Sequence, residues 1–324
     1  MTMHVTVVGA GGIGCALAYV LRRAGVEVAL VEADDAKIAW GRAQGLAIAG
    51  SPPIDVALVP FRDWTPMLGS LHLLCVKCYD NAAVLARLPA DAIVVPVQNG
   101  FDPQLFERTH TEGIASFVSE CDPGTTRTRI TRGGDLHLGH HDAPDPSGVA
   151  ALDFLVTALA AAPFRVVRVD RILPYKHAKL LYNAAISPLA TAAGLDNGEL
   201  LRHAEARPIF FDLLRENYDI LAGAGLPLAK IGPFHPDTVQ KILRRRWLAR
   251  MLSWCFYPSL RGTYCSMFHD LPKGRTEIDN YNGHLIRLAG ERPCPLNRKV
   301  VALLQRMLAE KCPPSLTRLQ DLRR

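Results

Sequence analysis

No apolar run in the sequence reaches the ~18–20 residues that a membrane span requires, and the start, MTMHVTVVGAGG, has neither the charged n-region nor the cleavage site of a secretory signal. Both absences predict a cytoplasmic protein without a membrane partner. A disulfide framework is missing as well. The eight cysteines, at 15, 75, 78, 121, 255, 265, 294 and 312, follow no such spacing and read as reduced thiols. Cys75-Val-Lys-Cys78 is the only CxxC, no second pair completes a zinc site, and its apolar surroundings read as a buried strand. The single histidine cluster, His137, His140 and His141, lies beside Gly139 and Asp142 and reads as a strand end and turn, so no metal is expected. Internal repeats and low-complexity segments are absent. The charge balance is mild, 37 Lys+Arg against 31 Asp+Glu. Its one dense run, Arg244 to Arg246, borders Leu243, Trp247 and Leu248 and reads as a solvated helix face, so no nucleic-acid partner is expected.

At ~150 residues per domain, the 324 residues suggest two domains, each able to bury its own core. Short β-branched runs at 4–8, 27–31, 57–60, 71–76, 92–97 and 114–118 alternate with helical spacing at 13–24, 36–44 and 81–88. That alternation predicts a parallel sheet covered on both faces. Residues 127–138 form two alternating runs around Arg132-Gly133-Gly134-Asp135, a hairpin signal, followed by a helix over 147–160 and a last strand over 164–169. Beyond Asp170 helical stretches dominate, at 173–193, 199–224, 236–252, 275–288 and 297–311, separated by Gly and Pro clusters.

Gly9-Ala10-Gly11-Gly12-Ile13-Gly14 follows the first strand and opens the first helix, the context in which a GxGxxG pattern reads as a dinucleotide fingerprint. Gly9 makes the tight turn, Gly11 lets the backbone approach a pyrophosphate, and Gly14 permits close helix packing. The helix N-terminus adds amide donors and a favourable dipole. Glu32, 23 residues after Gly9, ends the second strand, where a carboxylate accepts from both ribose hydroxyls and repels a 2′-phosphate. Glu32 therefore favours NAD over NADP. Lys37 and Arg42 follow it and would neutralise a phosphate if the loop folded back. The fold class expected is α/β: an N-terminal Rossmann-type doubly wound sheet over 1–170, followed by an all-helical substrate and catalytic domain over 171–324.

At the start of the helical part, Lys179, Asn183 and Ser187 are spaced i, i+4, i+8 and so share one face of a helix otherwise filled with Leu, Ala and Ile. Such a stripe is costly to bury unless it meets something polar, either solvent or a substrate pocket. With this segment in view the sequence resembles the ketopantoate reductases (2-dehydropantoate 2-reductases) from about Val5 to Leu308. The resemblance rests on the Gly9 to Gly14 loop, Lys77, Gln98-Asn99-Gly100, Lys179-x-x-x-Asn183, Asn197-Gly198, Ser266-Met267 with Asp270, Thr276-Glu277-Ile278-Asp279 with Asn282-Gly283, and Pro295-x-Asn297.

The resemblance implies a 2-oxo acid reductase using NAD(P)H, with its active site in an interdomain cleft. It makes Lys179 the general acid and Glu277 the group that hydrogen-bonds the hydroxyl and holds the lysine. Asn99 would contact substrate or nicotinamide, Asn183 and Ser266 would bind the substrate, and Lys77 would lie along the cofactor. Ser187 stands where many members carry a second asparagine, which alters one substrate contact. Ala33 replaces an arginine common in NADP-using members and reinforces the reading of Glu32. Cys265-Ser266-Met267 replaces Ser-Ser-Met, the loop from Asp270 to Glu277 is one residue shorter than the usual pattern, and the segment 226–264 is longer and rich in aromatics such as Trp254 and Tyr257. Ketopantoate is thus the first expected substrate, with another oxo acid, a ring-bearing one or an imine as alternatives. A non-catalytic dinucleotide sensor is a further alternative, against which the Lys179, Asn183 and Glu277 set argues. The apolar helical domain permits a homodimer without demanding one.

Overall fold

The computed structural model describes residues 3–142 and 145–323. The chain divides into two compact units, Met1–Leu173 and Pro174–Arg324. The strands of the first are β1 (Val5–Val8), β2 (Val28–Glu32), β3 (Ala47–Ile48), β4 (Ala57–Pro60), β5 (Leu71–Leu74), β6 (Ile93–Pro96), β7 (Thr111–Ala115), β8 (Val118–Cys121), β9 (Arg127–Arg132), β10 (Asp135–His140) and β11 (Arg165–Arg171). Its helices are α1 (Gly12–Arg23), α2 (Asp35–Gln44), α3 (Asn81–Leu85), α4 (Pro103–Arg108) and α5 (Pro146–Ala158).

Five strands form an all-parallel sheet in the order β4-β2-β1-β5-β6, in register Val5↔Val28, Val5↔Leu71 and Leu71↔Ile93. Every residue of β1 and β5 is buried, as required of central strands covered on both faces. The chain winds outward from β1 through β2 to β4, then returns to β5 and continues to β6. The order reverses between β1 and β5, so the crevice at their carboxyl ends is the switch point where such sheets bind ligands. An isolated parallel bridge, Val97↔Gly113, continues this sheet into β7, which pairs antiparallel with β10, itself parallel to β11.

The hairpin expected around Arg132 to Asp135 does not form. β9 pairs with β8 and β3, while β10 pairs with β7 and β11, so the two runs belong to different sheets. Gly134 explains the parting. A Cβ there would lie 2.6 Å from Phe117 N, so the chain crosses another backbone at that point instead of turning back on itself.

The second unit is helical: α6 (Leu173–Ala193), α7 (Asn197–Arg202), α8 (Ala206–Gly223), α9 (Pro236–Leu243), α10 (Arg246–Leu260), α11 (Ser266–Asp270), α12 (Ile278–Ala289) and α13 (Pro295–Ala309). The single helix expected over 199–224 is two. Asp196 caps α7 through a capping box with Glu199, and the Arg207 guanidinium donates to the end carbonyls of Leu201 and Arg202 at 3.4 and 3.3 Å. A side chain thereby closes the last turn where continued backbone would have done so. The expected 236–252 helix likewise splits at Arg245, whose backbone is extended (φ −110°, ψ 90°).

Candidate active site

The dinucleotide loop sits at the carboxyl end of β1 and is built from close contacts. Gly9 adopts φ +102°, and its N–H donates to Val31 O at 2.8 Å, fixing the turn to β2. A Cβ on Gly14 would lie 1.9 Å from Gly9 O, so α1 passes against the turn at backbone distance. A Cβ on Gly12 would lie 2.0 Å from Ser119 O, and the Ser119 hydroxyl donates to Gly12 O at 2.9 Å, so β8 runs beside the loop. At Gly11, by contrast, a Cβ meets nothing within 4 Å, and no side chain caps the helix it precedes. A backbone that opens onto space at the second glycine, with Ala10 and Ile13 beside it, fits the approach of a pyrophosphate to a helix N-terminus.

Glu32 closes the loop from the side of β2. Its Oε2 accepts from Ala10 N at 3.0 Å, and its Oε1 accepts from Ala33 N and Asp34 N at 2.7 and 3.1 Å. Lys37, one turn into α2, folds back: its ammonium donates to Ala10 O at 2.9 Å and stands 3.7 Å from Glu32 Oε2. Arg42 turns away and donates to Leu58 O at 3.1 Å. The fold-back that would place a cation near the ribose is therefore made by Lys37 and not by Arg42. Each carboxylate oxygen has two lone pairs; Oε1 already accepts two bonds and Oε2 one, so Glu32 retains capacity for one hydroxyl donor, on Oε2.

Lys77 and Asn99 follow neighbouring strands of the same sheet, β5 and β6. Both are half-buried. Between them lies a buried amide clasp that sequence reading missed: Gln98 Nε2 donates to Asn81 Oδ1 at 2.7 Å, and Asn81 Nδ2 donates to Gln98 Oε1 at 3.1 Å. Gln98 also donates to Val76 O at 2.8 Å, and Asn81 to Asp102 Oδ2 at 2.9 Å. Reciprocal bonds of this kind lock the two loops that carry Lys77 and Asn99. Cys75 and Cys78 lie beyond β5 and not within it; burial pushes the Cys75 thiol up to about 12, and Cys78 Sγ contacts Gln98 Oε1 at 3.7 Å. In the histidine cluster, His140 Nδ1 meets Thr111 Oγ1 at 2.9 Å and His141 Nε2 meets Glu112 Oε1 at 3.1 Å.

In the second unit α6 is continuous, so Lys179, Asn183 and Ser187 do line one stripe. Their neighbours Ala178, Leu180, Leu181, Ala184 and Ala185 are buried, whereas Lys179 and Asn183 are only half-buried and Ser187 is buried. Cys265 Sγ lies 3.3 Å from Ser187 O and 3.2 Å from Thr191 Oγ1. That thiol brings the exposed Ser266, first residue of α11, to the far end of the stripe. Glu277 is buried immediately before α12, and α12 docks on α6 through a bond from Asn282 Nδ2 to Ala184 O at 2.7 Å. The second unit thus gathers Lys179, Asn183, Ser187, Ser266 and Glu277 on α6 and the two elements tied to it, while the glycine loop, Glu32, Lys77 and Asn99 belong to the first.

Three further ionisable groups in this unit escaped sequence reading: Lys176 and His177 are buried on α6, and His284 lies on α12. Burial, then the positive charges of Arg287, His177 and Lys176, drive the His284 imidazole down to about 3. An unfolded histidine titrates near ~6.5. Between those values the unfolded chain binds a proton that the folded chain excludes, so stability is full above ~6.5 and declines as pH falls toward 3. His284→Gln is expected to remove about 2 kcal/mol of the stability that wild type loses between pH 6.5 and 4.5, read by urea unfolding at the two values. An unchanged pH dependence in the variant would assign the acid sensitivity elsewhere.

A glycine loop at the switch point of a parallel sheet, followed by a helical unit with a lysine, asparagine and glutamate set, defines an NAD(P)-dependent oxidoreductase. Two family models match, "Ketopantoate reductase PanE/ApbA" over residues 5–145 and "Ketopantoate reductase PanE/ApbA C terminal" over residues 171–308. The chain belongs to the ketopantoate reductase PanE/ApbA family. Among solved structures it is similar to a PanE/ApbA family ketopantoate reductase from Ralstonia eutropha JMP134, at 26% identity and TM-score 0.73 over 95% of this chain and 99% of that one. The ternary structure of D-mandelate dehydrogenase with NADH and anilino(oxo)acetate shares the fold at 19% identity and TM-score 0.73, over 99% and 100% of the two chains. So does the 2-dehydropantoate 2-reductase from Methylococcus capsulatus, at 20% identity and TM-score 0.71 over 96% and 98%. No curated protein matches the chain. Among the described residues no helix is long and apolar enough to cross a membrane.

Proposed function

We propose that the protein reduces the keto group of a branched 2-oxo acid, ketopantoate first among them, with NADH as the preferred reductant. The observation that carries this reading is the α6 stripe, where Lys179 and Asn183 lie half-buried beside Tyr182 and Ile186 on a helix whose flanking residues Ala178, Leu180, Leu181, Ala184 and Ala185 are buried. Polar groups placed so on an apolar helix are held for a polar ligand. The nicotinamide, when bound, supplies the hydride. Gly9, Ala10, Gly11, Gly12, Ile13 and Gly14 form the loop against which the pyrophosphate lies, with amides at the start of α1 as its donors, since those of Gly9 and Ala10 serve Val31 O and Glu32. Glu32 takes a ribose hydroxyl, and Lys77 and Asn99 line the nicotinamide end. Lys179 donates its ammonium proton to the carbonyl oxygen as negative charge develops there, and Glu277 orients that ammonium. Asn183, Ser187 and Ser266 bind the carboxylate or hydroxyl groups of the acid, and Asn99 touches the reacting end.

The preference for NADH rests on the Glu32 carboxylate at the end of β2, with Ala33 beside it and the nearby Asp35 carboxylate already paired with Arg62 at 2.7 Å. A 2′-phosphate would meet like charge at close range. A second substrate reading, a ring-bearing 2-oxo acid, is favoured by the aromatic segment, where Phe234 and Phe256 pack edge to face at 6.0 Å and Arg202 lies over Trp254 and Tyr257. D-mandelate dehydrogenase, with its aromatic ligand anilino(oxo)acetate, shares the same fold. The test is a panel of aliphatic and aromatic 2-oxo acids scored by NADH and NADPH oxidation. Turnover of ketopantoate or a close branched analogue is expected; turnover of aromatic acids alone would favour the second reading, and none at all would favour a sensor. Glu32→Ala with Ala33→Arg is expected to reverse the preference toward NADPH, because it also leaves the Lys37 ammonium without its carboxylate neighbour. Continued strong discrimination against NADPH would place the ribose elsewhere.

A further inference from the structure

Pro188 lies inside α6. Each turn of an α-helix is closed by a bond from N–H(i) to C=O(i−4), and proline has no N–H. The carbonyl four residues upstream, that of Ala184, therefore loses its helical donor. Ala184 is fully buried, where a carbonyl without a donor costs about as much as a lost hydrogen bond. The donor comes from another helix: Asn282 Nδ2, on α12, reaches Ala184 O at 2.7 Å.

The same amide belongs to a buried relay. Asn282 Nδ2 also donates to Asn297 Oδ1 at 2.8 Å, Asn297 Nδ2 donates to Asn217 Oδ1 and Glu216 Oε1 at 2.9 Å each, and Asn217 Nδ2 donates to Leu181 O at 3.0 Å. Asn217, Asn282 and Asn297 are all 0% exposed, so each amide is held at a position where an unpaired polar atom is expensive. Among the described residues Asn282 Oδ1 nevertheless has no hydrogen-bond partner. The amide is turned so that its donor serves Ala184, at the expense of its own acceptor.

Ala184 is the residue after Asn183, and Asn282 lies one and a half turns beyond Glu277 on the helix that Glu277 introduces. One bond thus couples the turn of α6 that carries Asn183 to the element that carries Glu277. We infer that Asn282 is a positioning residue for the proposed reduction: its amide replaces the hydrogen bond that Pro188 removes and so sets the spacing of Lys179 and Asn183 against Glu277. The inference rests on the roles proposed above for those three residues. Asn282 itself is fully buried and acts through α6.

The test pairs Asn282→Ala with Pro188→Ala, which gives position 188 an N–H and returns the helical donor to Ala184. Assayed with the substrate that the panel identifies, Asn282→Ala is expected to lower kcat by about tenfold to 100-fold, the scale of a misplaced reacting group, with KM for NADH at its wild-type value. On the Pro188→Ala background the same substitution should cost less than about threefold, because the bond it removes is no longer needed. An equal loss in both backgrounds, or no loss in either, overturns the inference. If Asn282→Ala alone does not fold, recovery of folded, active protein in the double variant supports it and failure to recover overturns it. Amide hydrogen exchange around Ala184 gives a readout free of turnover: faster in Asn282→Ala, and restored by Pro188→Ala. If Lys179→Ala leaves turnover intact, the proposed chemistry falls, whereas the coupling of Asn282 to Pro188 is still decided by the exchange data.

Discussion

Lys179→Ala is expected to lose at least ~100-fold in kcat, the low end for removal of a positioned general acid, with the dissociation constant for NADH unchanged. The substitution removes two things at once: the proton that the product hydroxyl requires and the positive charge that stabilises the oxygen before the proton arrives. Lys179→Arg separates them. Guanidinium keeps the charge but does not give up its proton at accessible pH, so the arginine variant should remain close to alanine in kcat if proton delivery limits the step. It should recover a large part of the rate if charge alone matters. Because Lys179 is half-buried on a continuous helix, the alanine variant should fold as wild type does, and the thermal midpoint is the control. Wild-type kcat in the alanine variant would remove Lys179 from the reaction.

The loop and the stripe were legible in the sequence because both are local patterns. GxGxxG between a strand and a helix specifies its own backbone geometry, and i, i+4, i+8 spacing fixes a helix face whatever packs on it. The groups that hold those patterns in place were not legible, since each acts across the fold: Lys37 reaches Ala10 over 27 positions, Gln98 clasps Asn81 over 17, and Asn282 serves Ala184 over 98. Asn282 and Asn297 could be quoted from the sequence as parts of a motif, yet nothing local tied either to Pro188. The error at Arg132 to Asp135 has the same root. Two alternating runs around Gly-Gly carry every local sign of a hairpin, and partner strands contributed from residues 47–48, 111–115 and 165–171 decide otherwise. Propensity describes what a segment can do, and distant pairing selects among those options.

A pair of glycine substitutions should separate the structural from the ligand-binding part of the loop. Gly14→Ala places a methyl 1.9 Å from Gly9 O and 3.2 Å from Cys75 Cβ. Neither side can yield easily, because Gly9 is held at φ +102° by its bond to Val31 and is itself packed against Val76. Helix α1 must shift from the sheet, an overpacking of about 3 kcal/mol, and a midpoint lower by about 6–12 °C is expected for a unit of this size. Affinity for NADH should fall with it. Gly11→Ala is the opposite case: its added methyl touches no protein atom within 4 Å, and the backbone there, at φ −76°, accepts any residue. The folded protein should lose only the difference between glycine and alanine as a helix N-cap, about 1 kcal/mol, and so lower its thermal midpoint by about 2–4 °C, well short of the Gly14→Ala loss. Its NADH dissociation constant should nevertheless rise at least tenfold, on the order of 1.4 kcal/mol, because the methyl fills the space through which the backbone approaches the pyrophosphate. Calorimetric titration of NADH into the two variants reads both effects, and a Gly11→Ala protein that binds NADH as wild type does would mean that the dinucleotide lies elsewhere on the sheet.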